Sequence, residues 1–213
     1  MSSTCSAGVS LGGSAFFSPP DHAMLLEYAG LFRKCRAAVL VPGGGQTARL
    51  YISSFPGSKL KKDMLGIMST KLNALYFSLL TGIPIHDRIE EAPSEGVSIV
   101  PGQIPGITTD AVAALAAEKL GGAFINLTKS DGVLKGGRRI EEISYSRLFR
   151  EFPELLSAEP GRHFPLDITA LAILKRSSIR AYIGPANDID SVRAFISGRR
   201  PASGTVLVPD QNQ

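Results

Sequence analysis

Four segments rich in glycine or hydroxyl side chains stand directly after stretches that are predicted to be β-strands. They lie at residues 11–14, 42–45, 104–110 and 128–133. Glycine lets backbone N–H groups approach an anion, because no Cβ blocks the way and positive φ angles are accessible. Ligands of open α/β sheets bind at the carboxyl ends of the strands. The four loops together therefore indicate phosphate chemistry, although a tight turn also explains each one singly.

Two polar groups accompany these loops at the predicted starts of helices. Arg49 stands one helical turn beyond the glycines at 43–45. Its guanidinium could reach a phosphate bound by that loop, and a surface arginine is the competing interpretation. Thr108 and Thr109 follow a Pro-Gly turn, where hydroxyl and N–H groups could hold a polar ligand besides capping the helix.

The turn after the predicted strand at residues 123–127 contains a cation and a carboxylate. Lys129 and Asp131 lie there with Thr128 and Gly132. A simple Ser-Asp-Gly turn is one explanation of this composition. In a phosphoryl-transfer enzyme, Asp131 could instead hold Mg²⁺ or orient a catalytic group, while Lys129 offsets phosphate charge.

Apolar runs bounded by glycine or proline alternate with helical patterns along the chain. The predicted strands are residues 8–11, 37–41, 97–100, 123–127, 180–183 and 204–208, and the predicted helices are residues 20–35, 63–80, 109–120, 166–176 and 189–197. This alternation is typical of an α/β sandwich with a mainly parallel sheet. The helix at 63–80 is apolar around most of its circumference, which indicates burial on more than one side.

Length and composition favour one globular domain over residues 1–213. The chain is 44% hydrophobic and carries a formal net charge of +4. No apolar run approaches the roughly 20 residues needed to span a bilayer, so we expect a cytoplasmic protein without a membrane partner. The basic residues are dispersed without interleaved aromatic residues, which favours solvated loops over a nucleic-acid interface.

The cysteines and histidines do not show the clustering of a metal site. Cys5 and Cys35 are 30 residues apart, and the three histidines are scattered. Zinc sites in proteins usually combine three or four clustered ligands, so none is predicted. A pair of cysteines this sparse indicates reduced thiols rather than a disulfide framework.

Several motifs in collinear order resemble those of the archaeal-type uridylate kinases, which belong to the amino-acid-kinase superfamily. The resemblance runs from about residue 9 to residue 208 and rests on residues 11–14, 43–49, 63–67, 70–74, 105–114, 131–133 and 204–205. The run Thr-Thr-Asp-Ala-Val-Ala-Ala, at residues 108–114, is its most specific part.

The resemblance implies a three-layer αβα sandwich that transfers the γ-phosphoryl group of ATP to UMP in pyrimidine nucleotide biosynthesis. Mg²⁺ would accompany ATP. Members of this family assemble as hexamers built from dimers, and the helix at 63–80 matches their dimer-forming helix. The resemblance therefore also implies a homo-oligomer.

Roles for individual residues follow from the resemblance by position. The acceptor UMP would be held by Gly44, Gly45, Arg49, Asp63, Gly66, Thr108 and Thr109. ATP would be held by Thr128, Lys129, Asp131 and Gly132. The catalytic set would be Gly12, Gly13, Ser14 and Asp131, and no protein residue is assigned as a resident metal ligand.

The sequence departs from the family pattern mainly on the donor side. Leu134 stands where a tyrosine is usual, and residues 135–139 stand in for a longer stretch that helps to house the adenine nucleotide. Two other functions therefore stay open. One is a paralogue that binds a nucleotide or oxyanion without catalysis, and the other is a kinase for a different phosphate or carboxylate acceptor.

Overall fold

Strands and helices alternate in the computed structural model, which describes residues 3–12, 21–156 and 164–210. The strands are β1 (Ser3–Leu11), β2 (Cys35–Pro42), β3 (Gly96–Ile99), β4 (Ala123–Thr128), β5 (Leu134–Lys135), β6 (Arg138–Arg139), β7 (Glu142–Ser144), β8 (Ala181–Pro185) and β9 (Thr205–Val208). The helices are α1 (His22–Phe32), α2 (Gly45–Ser54), α3 (Lys59–Thr81), α4 (Thr109–Leu120), α5 (Tyr145–Glu151), α6 (Ile168–Arg176) and α7 (Ile189–Ile196).

Seven of the described strands form one sheet, in the order β3-β2-β1-β4-β8-β9-β7. The first five of these are mutually parallel. β9 pairs antiparallel with β8, and β7 pairs parallel with β9. The predicted α/β class with a mainly parallel sheet is therefore confirmed. β5 and β6 form a separate antiparallel hairpin.

Helices cover both faces of the sheet, as the side chains of β2 show. Ala37, Val39 and Val41 join a core cluster with α4 and α6. Ala38 and Leu40 join a second cluster with α1, α3 and α7. Successive side chains of a strand point to opposite faces, so a continuous apolar run is what a strand buried on both faces requires.

The alanine-rich helix α4 lies unusually close to β1. A Cβ added at Gly8 would come within 2.0 Å of the Ala113 carbonyl oxygen and 2.5 Å of the Ala117 nitrogen. Only glycine on the strand and small residues on the helix permit this approach. The contact fixes the position of α4 along β1 and so places the first turn of α4 beside the end of that strand.

The longest helix, α3, has only one buried side in the chain. Its buried residues are Ser69, Thr70, Asn73, Ala74 and Phe77. The prediction that it is buried on several sides is wrong for the single chain, because six large apolar residues of α3 are exposed. They are Leu60, Met64, Met68, Leu72, Leu75 and Leu79. None of the helices in the described ranges is long and apolar enough to cross a membrane.

Several element boundaries differ from the predicted ones. α1 ends at Phe32, and Cys35 already begins β2, so the predicted helix to residue 35 is too long. α3 begins at Lys59, four residues earlier than predicted. α4 matches its prediction at both ends, and its N-cap is Thr108. Of the ten-residue helix α2, only the start behind the glycine loop was predicted. The elements β5, β6, β7 and α5 were missed altogether, because such short elements carry little periodicity.

The two cysteines form a disulfide bond, Cys5–Cys35, with their Cα atoms 5.0 Å apart. The prediction of two reduced thiols is therefore wrong. Cys5 lies near the start of β1 and Cys35 starts β2, and these two strands are parallel neighbours. Sheet pairing thus brings together residues that spacing along the chain keeps 30 positions apart.

Candidate functional site

The ends of three adjacent strands meet at the carboxyl edge of the sheet. The Gly43 N–H donates to the Leu11 carbonyl oxygen at 2.8 Å, and the Gly12 N–H donates to the Leu127 carbonyl oxygen at 2.7 Å. The loop after β1 therefore lies between the loop after β2 and the loop after β4. Three of the four loops that the sequence singled out are brought together in this way.

Glycine is sterically required at position 12. A Cβ there would come within 2.4 Å of the Leu127 carbonyl oxygen. The backbone at Gly12 can hence run directly against the end of β4. Gly13 and Ser14, the other predicted catalytic residues of this loop, lie outside the described residues.

The glycine loop after β2 leads directly into α2. Gly44 is the N-cap of this helix, and Gly45 adopts a positive φ of 62°. A Cβ at Gly44 would come within 2.5 Å of the Ala48 Cβ and 3.4 Å of the Gly66 carbonyl oxygen. α3 therefore crosses close to the loop, which brings Gly44 near Gly66, another residue that the resemblance assigns to the UMP site.

Asn73 of α3 holds this glycine loop in place through a buried hydrogen bond. Its buried side-chain amide donates to the Gly43 carbonyl oxygen at 2.7 Å. The first N–H groups of α2 have no acceptor within the helix, an arrangement that suits an anion. Arg49 is exposed one turn further along α2 and borders a groove that Lys62 of α3 also lines.

Asp63 of α3 contacts the loop that precedes α4. Its carboxylate accepts a hydrogen bond from the Gly106 N–H at 3.0 Å. Gly106 has a φ of 83°, so the tight Pro-Gly turn predicted from the sequence is present. The contact joins the start of α3 to the start of α4 across the edge of the sheet, which brings Asp63 and the threonine pair to the same side.

Thr108 and Thr109 begin α4 at this edge. The Thr108 hydroxyl accepts from the Ala111 N–H at 3.1 Å and donates to a carboxylate oxygen of Asp167. Asp167 is itself the N-cap of α6. Thr108 thus ties the starts of two helices together, while the partly exposed Thr109 carries no hydrogen bond from its side chain to the described residues.

Asp110 is a central residue that the sequence motifs suggested only as part of a helix cap. Its carboxylate accepts a hydrogen bond from the Ser10 hydroxyl at 2.5 Å, so it lies beside the end of β1. Its pKa is raised to about 7, mainly by burial; the Ser10 hydrogen bond acts in the opposite direction, and the charge of the nearby Asp167 contributes to the rise. A polar Ser10 inside a buried strand was the available signal, but its partner is 100 residues away.

The donor-side residues lie in the turn after β4. The Thr128 carbonyl oxygen accepts from the Ala186 N–H at 2.8 Å, which ties this turn to the end of β8. Asp131 is exposed, and one of its carboxylate oxygens accepts from the Gly204 N–H at 3.3 Å. Gly132 adopts a φ of 99°. Lys129 is exposed in the same turn.

No group of three or more His, Cys, Asp or Glu side chains within the described ranges could hold a metal ion. Asp131, the carboxylate that the sequence offered for Mg²⁺, is already engaged by the Gly204 N–H and stands 3.9 Å from the Arg139 guanidinium. A cation at this edge would therefore need ligands from a bound nucleotide as well as from the protein.

The fold and its loop-lined edge define a nucleotide- or phosphate-binding α/β protein, and comparisons with known proteins are consistent with this class. The sequence profile of the amino acid kinase family matches residues 9–185. The chain belongs to this family.

Within this family, the chain is similar to several uridylate kinases. The uridylate kinase of Ignicoccus hospitalis is 35% identical over 91% of this chain and 95% of its own length. The uridylate kinase of Thermoplasma acidophilum is 34% identical over 95% and 96%. The crystal structure of uridylate kinase from Archaeoglobus fulgidus has a TM-score of 0.77 at 28% identity, covering 94% of this chain and 98% of that one. The similarity to archaeal uridylate kinases is thereby confirmed.

Proposed function

We propose that the protein is a phosphotransferase that moves the γ-phosphoryl group of ATP to UMP, with one domain carrying both nucleotide sites. The order of the strand ends carries this proposal. The β2 loop lies on one side of Gly12 and the β4 turn lies on the other, so a group between them would face Gly12. Phosphoryl transfer requires an acceptor and a donor held in line, with the transferring group between them.

On the acceptor side, the glycine loop and the first turn of α2 would bind the UMP phosphate. Gly44 and Gly45 offer backbone N–H groups, and Arg49 adds a guanidinium that matches a phosphate in geometry and charge. Asp63 and Gly66 would lie along the nucleoside, and Thr108 and Thr109 would face the base and phosphate. Asp63 would exchange its bond with the Gly106 N–H for substrate hydroxyl groups.

On the donor side, the turn after β4 would hold ATP. Thr128, Lys129, Asp131 and Gly132 form this turn, in which Lys129 would offset phosphate charge. Mg²⁺ would enter with ATP and neutralise the charge that develops on the phosphate oxygens. Gly12, with Gly13 and Ser14, would contact the transferring group. Asp110 accepts a hydrogen bond from Ser10 and would orient the end of β1 through it.

Turnover and binding separate this proposal from its alternatives. ADP release with ATP and Mg²⁺ should be measured against UMP, CMP, AMP and GMP, with calorimetric binding of each nucleotide to the same preparation. We expect turnover that is selective for UMP. Binding without turnover would contradict the proposal and indicate a storage or sensor protein, and turnover only with another acceptor would indicate a different kinase.

Arg49→Ala is expected to weaken UMP binding about tenfold, because a charge-assisted contact with the phosphate is lost. ATP affinity should change less than twofold by the same reasoning. Lys62→Ala is the matched control, since Lys62 is another cation bordering the same groove. Calorimetry with UMP checks the effect, and equal losses in both variants would assign it to general surface charge rather than to Arg49.

The exposed apolar residues of α3 support a homodimer as the unit of a hexamer. Leu60, Met64, Met68 and Leu72 follow one another at intervals of four residues, and Leu75 and Leu79 continue the series. Such a spacing places all six on one side of the helix. A continuous exposed apolar strip is unusual in a monomer, and two copies related by a twofold axis would cover it. We also propose a cytoplasmic location for this assembly.

Met68→Glu is expected to disrupt the dimer, because each interface would bury two uncompensated carboxylates. Light scattering after gel filtration should show a loss of mass relative to the wild-type protein, for which six times 22.6 kDa is expected. Leu26→Glu introduces the same carboxylate at an exposed apolar position of α1, outside the strip. An unchanged mass for Met68→Glu would argue against α3 as the interface.

A further inference from the structure

Arg139, in the short hairpin that follows the donor-side turn, contacts two loops at once. Its Nη1 donates to the Gly204 carbonyl oxygen at 2.6 Å and its Nη2 donates to the Ala202 carbonyl oxygen at 3.0 Å. Its Nε lies 3.9 Å from the Asp131 carboxylate. Only 23% of the Arg139 side chain is exposed, whereas the neighbouring Arg138 belongs to the exposed residues.

The two loops that Arg139 joins are already in van der Waals contact. A Cβ at Gly132 would come within 2.5 Å of the Thr205 Oγ1. That same hydroxyl oxygen accepts from the Val133 N–H at 2.8 Å, and the Gly204 N–H donates to Asp131 at 3.3 Å. Residues 131–133 and 202–205 therefore form one unit at the donor edge of the sheet.

Side chains anchor the short hairpin at two points: Lys135 pairs with Glu151 at 3.0 Å, and Arg139 binds the loop at residues 202–204. β5 and β6 have two residues each, and Leu134 is exposed. A two-stranded ribbon of this length is not stable alone. Since the hairpin stands directly after Gly132 and Val133, any movement of it would be transmitted to the turn that carries Asp131. Arg139 is the hairpin side chain that anchors it to residues 202–204.

We propose that Arg139 is a positioning residue that fixes the Asp131–Gly132 turn for the donor nucleotide. This inference rests on the proposed function, because it takes the turn after β4 as the ATP side. The planar guanidinium reaches two carbonyl oxygens with two nitrogens simultaneously, which a lysine cannot do. The acceptor residues lie on the opposite side of β1, so their affinity should be independent of Arg139.

The test compares Arg139→Ala, Arg139→Lys and the control Arg138→Ala. We expect KM for ATP to rise about tenfold in Arg139→Ala and nearly as much in Arg139→Lys, while KM for UMP changes less than about twofold. Amide hydrogen exchange at residues 131–133 and 202–205 should accelerate in both Arg139 variants and stay unchanged in Arg138→Ala.

The outcomes separate this inference from the proposed function. An active wild-type protein whose KM for ATP is unaffected in Arg139→Ala would overturn the positioning role alone. Equal increases in KM for both nucleotides would overturn it too, since they would indicate a general structural loss. A wild-type protein that binds ATP without turnover would contradict the kinase activity, and weaker calorimetric ATP binding in Arg139→Ala would still support the inference. A wild-type protein that binds no ATP would overturn both.

Discussion

Replacing Asp110 with asparagine is expected to raise the free energy of unfolding at pH 8 by about 2 to 4 kcal/mol, and to lower turnover at least tenfold. The structure explains the gain in stability. Burial beside β1 raises the pKa of Asp110 from its ordinary value of 3.8 to about 7, so its charge at pH 8 is held at a cost in folding free energy. Asparagine keeps an oxygen that can accept from Ser10 and carries no charge.

The pH dependence follows from the raised pKa. Below pH 4 the carboxyl group is mostly protonated in both the folded and the unfolded chain, so it contributes no penalty. Between about pH 4 and pH 7 the unfolded chain ionises first, and stability falls as the pH rises. Above pH 7 the full penalty is present. Urea unfolding of wild type and Asp110→Asn should therefore give a difference that is near zero at pH 4 and largest at pH 8.

The loss of turnover has a separate reason. Asp110 orients the end of β1 at the point where the proposed acceptor and donor sides meet, and functional sites often retain groups that destabilise the fold. Asp87→Asn is the control, because Asp87 is an exposed carboxylate whose salt bridge with Lys71 lies at the surface. If Asp110→Asn were no more stable than wild type at pH 8, the claim that the ionised Asp110 carboxylate destabilises the fold would be wrong.

Removing the Cys5–Cys35 disulfide is expected to lower stability by about 3 to 4 kcal/mol and Tm by about 6 to 16 °C. The bond links residues 30 positions apart and so restricts the unfolded chain. In the folded protein it joins the starts of β1 and β2, the two strands whose opposite ends carry the glycine loops. We expect the loss of the bond to loosen the amino edge of the sheet first.

Thermal unfolding with and without reductant checks this expectation. The double variant Cys5→Ala, Cys35→Ala should unfold at a lower temperature than oxidised wild type and should not respond to reductant. Mass spectrometry after alkylation, without prior reduction, should find both cysteines of the wild-type protein protected. If complete reduction left the wild-type Tm unchanged, the disulfide would have no stabilising role.

Much of the architecture could be predicted because it is encoded locally. α4 begins and ends where its sequence indicates, since Thr108 caps its start and Gly121, in a left-handed conformation, ends it. The continuous apolar run of β2 identified a strand buried on both faces. The four loops at strand ends could be recognised from their glycine and hydroxyl residues alone. Parallel pairing of the strands then places three of these loops at one edge of the sheet.

The remaining features depend on contacts between distant parts of the chain, which no local pattern contains. The sequence by itself determined the α/β class, the glycine loops and the family resemblance, because these follow from periodicity, composition and motif order. Only the tertiary structure decided that Ser10 meets Asp110, that Cys5 meets Cys35 and that Arg139 holds Gly204. Each pair is set by the order in which strands pair and by how closely helices pack on them, and both depend on the whole fold.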